Sequence, residues 1–548
     1  MRITFTLLTV ALCFGLRAQT GPDAYYVQFT DKDATPYSVG EPDQFLSARA
    51  IARRQAQGIA IDELDLPVDP AYISAVLTTG DVQLINRSKW FNAITIRTTD
   101  EAALEAIAQL PFVSNVRSTR RMTGPSPVMD KFTLEVDLPI VARGGQPEDY
   151  GWSWTQISML NGQGLHAMEA KGQGMLIGVL DSGFDRTDEL AAFDDLRDRD
   201  GIVLTRDMVE HDGDVYGDHW HGRSVLSCMA GIVPGYLQGT APLADYALVR
   251  TEAVAYELVI EEDNWVAGAE LLDSLGADVL NTSLGYTTFD DSLQSHTYAS
   301  MDGATARISI AAGIASQKGM IPVQSAGNNG WGAWHYISAP ADAFDILAVG
   351  AVGENELHAG FSAYGPSFDG RVKPDVMALG WGAIGLRVEG DSVAPLNGTS
   401  FSAPILAGLV ACLWQLHPQR TAHDVMDAVR RSAHLWSTPN DSMGYGIPDF
   451  MQAHAWLTLT TSVEQVSGSA LVAYPNPFDD QVLVIGLPAD GTWNALLHDA
   501  SGRVIRTAQL NASNGTLRWN GLEGLAGGAY VLRMERKGER VVMRVVKR

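Results

Sequence analysis

The chain has 548 residues, enough for three or four domains at about 150 residues each. Its 46% apolar and 19% charged residues exclude a largely disordered or coiled-coil chain, and its three cysteines are too few for a disulfide scaffold or a multi-cysteine zinc site. With 39 basic against 64 acidic residues the net charge is −25, which repels phosphate backbones, so no nucleic-acid partner is expected.

Residues 1–18 read as a secretory signal peptide, with one cation (Arg2), an apolar run from Ile3 to Leu16 and a cleavage point after Ala18. That run is shorter than the roughly 20 residues needed to cross a bilayer, and no later apolar run reaches 18 residues, so no transmembrane helix is expected. Cys13 leaves with the signal peptide. Cys228 and Cys412 fall in apolar helical stretches and are expected as buried free thiols, with a bridge as the alternative.

Residues 19–121 read as a small α+β (ferredoxin-like) domain of split βαββαβ order. Its strands are expected near Tyr25–Thr30, Val82–Asn86, Ala93–Thr98 and Phe112–Val116, and its helices near Phe45–Gln57 and Glu101–Gln109. Residues 122–148, rich in Pro, Gly and Arg, form a linker open to proteolytic processing. From 149 to 457 apolar strands alternate with helical stretches. The strands are MLIGVL (175–180), YALVR (246–250), ADVLN (277–281), MIPVQS (320–325) and ILAVGAV (346–352). The helices include Asn264–Leu275, Thr305–Lys318, Ser400–Trp414 and Thr421–Ala433. Continuous apolar strands separated by helices predict a doubly wound parallel sheet with both faces covered. After a polar linker (458–467), residues 468–548 carry about seven short alternating strands, which predict an antiparallel β-sandwich. Its last 16 residues hold Arg533, Arg536, Lys537, Arg540, Arg544, Lys547 and Arg548 against Glu535 and Glu539. These cations protect edge strands or serve recognition, and both readings stay open.

Four elements carry chemistry. MLIGVL ends in Asp181-Ser182-Gly183, a carboxylate at the carboxyl end of a parallel strand, where open α/β sheets place functional groups. His221-Gly222 opens an apolar helix, and the glycine lets another backbone approach the ring. Ser400, in NGTSFSAP (397–404), heads a second apolar helix; a cap is the usual role, but the helix dipole there also favours the negative charge of a nucleophile. Asn328, at the end of MIPVQS, is placed to donate its amide hydrogen to a developing oxyanion. Trp331 and Trp334 follow; packing is the commoner fate of tryptophan, and lining the cleft is the alternative.

The chain order Asp, His, Ser, with an amide between the last two, together with LDSGFD, HGRSV, SLGY (283–286), SAGNNG and NGTSFSAP, resembles the subtilisin-like (subtilase) serine proteases over residues 149–457. The resemblance implies that Asp181 orients His221, that His221 takes the proton of Ser400, and that Asn328 with the Ser400 backbone N–H holds the oxyanion. It also implies that Ser283, Leu284 and Gly285 pair with an extended substrate. Arg223, Ser224 and Phe401 depart from the usual residues, and changed packing or substrate contacts are expected there. His219 is a rival base but lacks the following glycine. The acidic stretches Asp185–Asp200 and Asp212, Asp214 and Asp218 lack EF-hand spacing, so no cofactor and no metal ligands are named, although a structural calcium is compatible with the family.

Residues 19–121 resemble the inhibitory prosegments of subtilases. The segments YPNPF (474–478), Ala500–Arg503 and GGAY (527–530) resemble the sorting domain of the type IX secretion system of Bacteroidetes. The expected protein is a zymogen of a secreted or surface-held serine endopeptidase, exported across both membranes. Its partners are protein or peptide substrates and the secretion machinery, and it is expected to be a monomer. The alternative is a catalytically inactive surface binding protein on the same scaffold; inactive relatives lose a triad residue, whereas Asp181, His221, Ser400 and Asn328 are all present here.

Overall fold

The computed structural model describes residues 23–120, 150–388, 390, 392–459, 472–487, 490–499, 503–536 and 539–547. The expected signal peptide, the linker at 122–148, most of the linker at 458–467, Ala500–Gly502, Lys537 and Arg548 lie outside them. The chain forms two compact units, divided between Leu457 and Thr458.

The first unit begins with β1 (Ala24–Phe29), α1 (Ala48–Gln57), α2 (Pro70–Leu77), β2 (Gln83–Ser88), β3 (Ala93–Arg97), α3 (Glu101–Ala108) and β4 (Val113–Arg120). The antiparallel sheet has the order β2-β3-β1-β4, the split arrangement expected from the sequence. Helix α1 starts later than predicted because Ser47, not Phe45, supplies the cap, accepting from Ala50 N, and Gly58 (φ 69°) ends it. Helix α2 was not anticipated. Its signal is local, Asp69 as cap and Pro70 at the first position, but eight residues give little periodicity. Val27 and Phe29 on one face of β1 pack with Ile73 and Val76 of α2 and Ile107 of α3. Tyr26, pointing the other way, stacks against Arg307 of the next domain.

The central domain follows as α4 (Trp154–Ser158), α5 (Gly162–Ala167), β5 (Leu176–Asp181), α6 (Asp194–Asp198), β6 (Ile202–Asp207), α7 (His221–Ala230), β7 (Ile232–Val233), β8 (Leu237–Gln238), β9 (Asp245–Arg250), α8 (Ile260–Leu275), β10 (Val279–Thr282), α9 (Arg307–Gln317), β11 (Ile321–Ser325), β12 (Leu347–Val352), β13 (Val376–Leu379), β14 (Trp381–Leu386), β15 (Val393–Asn397), α10 (Thr399–Gln415), α11 (Ala422–Arg431) and α12 (Phe450–Leu459). Seven strands form one parallel sheet in the order β13-β12-β11-β10-β5-β9-β6. Five of them are the predicted strands. The other two escaped the pattern: β6 is a half-exposed edge strand ending in Arg-Asp, and β13 has four residues. Two cores flank the sheet, one around α7, α10 and α11 and the other around α8 and α9. Helix α10 is buried from Thr399 to Trp414, as a helix apolar on every side must be. Cys228 and Cys412 are free and buried, and burial pushes both thiols up, that of Cys228 to about 12, leaving both inert.

The second unit contains β16 (Val472–Tyr474), β17 (Gln481–Ile485), β18 (Gly491–His498), β19 (Val504–Ala512), β20 (Thr516–Asn520), β21 (Gly528–Arg536) and β22 (Glu539–Lys547). These make two antiparallel sheets, β16-β17-β20 and β19-β18-β21-β22, around Phe478, Trp493, Trp519 and Leu532. The basic C-terminal strand β22 lies at a sheet edge.

Candidate active site

The carboxyl ends of three neighbouring strands, β5, β10 and β11, deliver Asp181, Ser283 and Asn328 to one rim of the sheet. Over that rim sit the first residue of α7, His221, and the second residue of α10, Ser400. Two glycines make the approach possible. A Cβ at Gly222 would stand 2.3 Å from Gly183 O and 2.9 Å from Asp181 Cβ. Gly398, at φ 146°, makes the turn from β15 into α10.

Asp181 is fully buried, and His221 is 3% exposed. His221 Nδ1 lies 2.7 Å from Asp181 Oδ1, which also accepts from Ser182 N at 2.8 Å and Ser182 Oγ at 3.1 Å. An ionised carboxylate can only accept, so the proton sits on Nδ1 and Nε2 is left as the acceptor. The His221 ring lies 6.0 Å from that of Phe401, the residue after Ser400.

Ser400 is 8% exposed. Its hydroxyl donates to Ser283 O at 3.2 Å, and Ser283 Oγ donates back to Ser400 O at 2.8 Å. The second bond has a cause in the sequence: Pro404, four residues on, has no N–H to offer that carbonyl. Asn328 is exposed, and its Oδ1 accepts from Thr399 N at 2.9 Å and Thr399 Oγ1 at 3.0 Å. A backbone N–H can only donate, which fixes the amide so that Nδ2 is the outward atom; a Cβ at Gly398 would lie 3.5 Å from it. Of the expected substrate strand, Ser283 and Leu284 are buried and Gly285 is exposed.

The model of the subtilase family covers residues 172–452, 281 of the 548 in the chain. The chain belongs to the subtilase family. A Bacteroidota peptidase S8 propeptide domain matches residues 24–131, and a secretion system C-terminal sorting domain matches residues 472–548. A thermostable alkaline protease of Halalkalibacterium halodurans is 27% identical over 290 residues, 52% of this chain and 69% of that protein. Subtilisin E of Bacillus subtilis is 28% identical over 285 residues, 50% of this chain and 65% of that protein. Among solved structures, that of MycP1 from Mycobacterium smegmatis is similar at a TM-score of 0.44 and 20% identity, covering 57% of this chain and 86% of that one. The family is one of serine endopeptidases, and the sorting domain directs this subtilase through type IX secretion to the cell surface or the surroundings. Among the described residues no helix is long and apolar enough to cross a membrane.

The departures of this subtilase from its family are packing changes. Arg223 is fully buried, reaching Asp185 Oδ2 at 2.7 Å and the carbonyls of Arg387 and Val388 at 2.8 Å each. It ties the loop after Asp181 to the end of β14. Ser224 Oγ donates to Leu386 O. The rival base His219 turns its Nδ1 toward Ser182 Oγ (3.2 Å) and the backbone N–H of His221 (3.3 Å). The acidic loops form turns and ion pairs: Asp212 and Asp214 accept from backbone N–H groups two or three residues on, and Asp218 pairs with Arg250. A carboxylate group the sequence did not single out, Glu252, Glu257 and Glu261, brings oxygens within 4.8 Å of one another. Glu261 accepts from Ala253 N and Leu258 N, and Glu252 from the Tyr286 hydroxyl, so no ion is assigned there.

The propeptide domain of the subtilase lies on α8. Asp273, fully buried, receives Arg53 (2.6 Å), Arg54 (2.8 Å) and Lys89 (2.9 Å). Burial alone would raise its carboxyl, but these three cations hold it down to about 2. One turn earlier, Glu270 accepts from Ser88 Oγ and from the backbone N–H groups of Lys89 and Trp90.

Proposed function

We propose that the chain is the zymogen of a secreted endopeptidase that cleaves peptide bonds through an acyl-enzyme on Ser400. The observation that carries this reading is the 2.7 Å bond from His221 to buried Asp181, beside the helix terminus that bears Ser400. A substrate adds as a strand along Ser283–Leu284–Gly285, where Gly285 is the exposed residue. Rotation of the Ser400 hydroxyl away from Ser283 O turns its proton to His221 Nε2, and Oγ attacks the scissile carbonyl. Asp181 keeps the imidazole in the accepting tautomer and stabilises the imidazolium. Asn328 Nδ2 and the Ser400 N–H receive the oxyanion; subtilisin loses about 10²–10³ in kcat without its side-chain donor, and the same scale is expected here. His221 then passes its proton to the leaving amine, and water repeats the sequence on the acyl group.

The charge cluster around Asp273 supports the zymogen reading, because it ties the propeptide domain to helix α8 of the central domain. The test is a serine-directed fluorophosphonate probe on protein matured from the full chain. The wild type takes the label and hydrolyses peptides, and Ser400→Ala does neither. An unlabelled wild type would mean an inactive binding protein.

A further inference from the structure

Two indoles stand in solvent next to the candidate active site. Trp331 is 66% exposed and Trp381 38% exposed. Their rings meet edge to face at 6.1 Å and 85°, Trp331 meets Phe361 at 6.1 Å and 87°, and Phe361 lies 5.9 Å from Trp381. Rings of this size gain by burial, so a contiguous aromatic surface left in water is of the kind that marks a binding site.

The backbone holds this surface in place. Gly330 N donates to Phe361 O at 2.8 Å, folding the turn after Asn328 onto the segment around Phe361. A Cβ at Gly360 would lie 2.1 Å from Trp331 Nε1, so the absence of a side chain there lets the indole lie close to the backbone. At Gly382 (φ 81°) the β14–β15 pairing slips by one residue, and Gly382 N donates to Asn397 Oδ1 at 2.9 Å. This bulge sets Trp381 opposite Asn397, three residues before Ser400; bulges beside active sites re-aim side chains in this way.

Position along the rim identifies the occupant. The strand ends run β10, β11, β12, β13, so Ser283–Gly285 lies on one side of Asn328, with Phe361 (after β12) and Trp381 (after β13) on the other. A substrate whose acyl half pairs with Ser283–Gly285 carries its leaving half away over β12 and β13. Two strand spacings, about 10 Å, separate β11 from β13, a distance an extended chain at about 3.3 Å per residue covers in three residues. We infer that Trp331, Trp381 and Phe361 form a specificity platform that receives an aromatic side chain of the substrate at the second or third residue after the cleaved bond. The inference rests on the proposed endopeptidase reading.

The test uses enzyme matured from the full chain and internally quenched peptides identical except for Trp or Ala at those two positions. Wild type cleaves the Trp peptides with kcat/KM about tenfold higher, the scale of one aromatic side chain packed on another. In Trp331→Ala and in Trp381→Ala that ratio falls toward one, while fluorophosphonate labelling of each variant reports a folded site with a reactive Ser400. No Trp preference in the wild type, or a preference that survives both substitutions, overturns the platform. If the wild type neither labels nor cleaves a peptidyl anilide, whose leaving group carries no residue, the endopeptidase reading fails and the platform with it.

Discussion

Ser400 occupies a helical position whose carbonyl its own helix cannot satisfy, because Pro404 has no N–H to give. Ser283 closes the gap with its hydroxyl and accepts the Ser400 hydroxyl at its own backbone carbonyl, so one residue on a neighbouring strand end holds both polar groups of the nucleophile. Ser283→Ala leaves a buried carbonyl without a donor, at about 1–3 kcal/mol. The expected outcome is a lower thermal midpoint together with a lower kcat on a peptidyl anilide. An unchanged midpoint and kcat would show that water or a shift of the helix replaces the hydroxyl. None of this was legible in the motif NGTSFSAP, which contains the proline but not the serine more than a hundred positions earlier that answers it.

Helix α8 shows what a single element hides. Its sequence carries five acidic residues, Glu261, Glu262, Asp263, Glu270 and Asp273, and all five are buried. An isolated amphipathic helix would keep such a face in water; here Asp273 receives Arg53, Arg54 and Lys89 of the propeptide domain and Glu270 its Ser88–Trp90 turn, while Glu262 and Asp263 pair with His296 and Arg307 of the central domain and Glu261 accepts from Ala253 N and Leu258 N. Asp273 is held at about 2 against an ordinary 3.8. A depressed carboxylate contributes stability that is fully present above its free value and is lost as pH falls through its bound value. The size is about 2 kcal/mol at 1.36 kcal/mol per unit. In the unprocessed chain carrying Ser400→Ala, the difference in stability between the Asp273 protein and its Asp273→Asn variant is therefore constant above about pH 4 and shrinks toward pH 2. Thermal denaturation across that range checks it, and a difference that grows on acidification would place the charge elsewhere.

At the scale of the molecule, the two units have different tasks. The first contains the cleft and the domain that covers α8; the second is a β-sandwich with its own core, matched to a secretion sorting domain. Deletion of residues 472–548 is expected to leave the protein inside the outer membrane, read by cell fractionation and immunoblotting. Export of the truncated chain would remove the sorting role from that segment.

Local order in the chain was enough for much of this. Five of the seven parallel strands, the split order of the first domain and the Asp, His, Asn and Ser segments follow from apolar periodicity and short motifs, because strand ends and helix starts are set by neighbouring residues. The short strand β13, the edge strand β6 and helix α2 were missed, since four to eight residues carry too little periodicity against charged or proline-rich surroundings. Only the tertiary structure decided the Ser283–Ser400 clamp, the partners of the buried acids on α8, and the aromatic triangle of Trp331, Phe361 and Trp381. Each of these joins residues from separate elements, and which distant groups meet is fixed by strand order and packing, which no local window of sequence encodes.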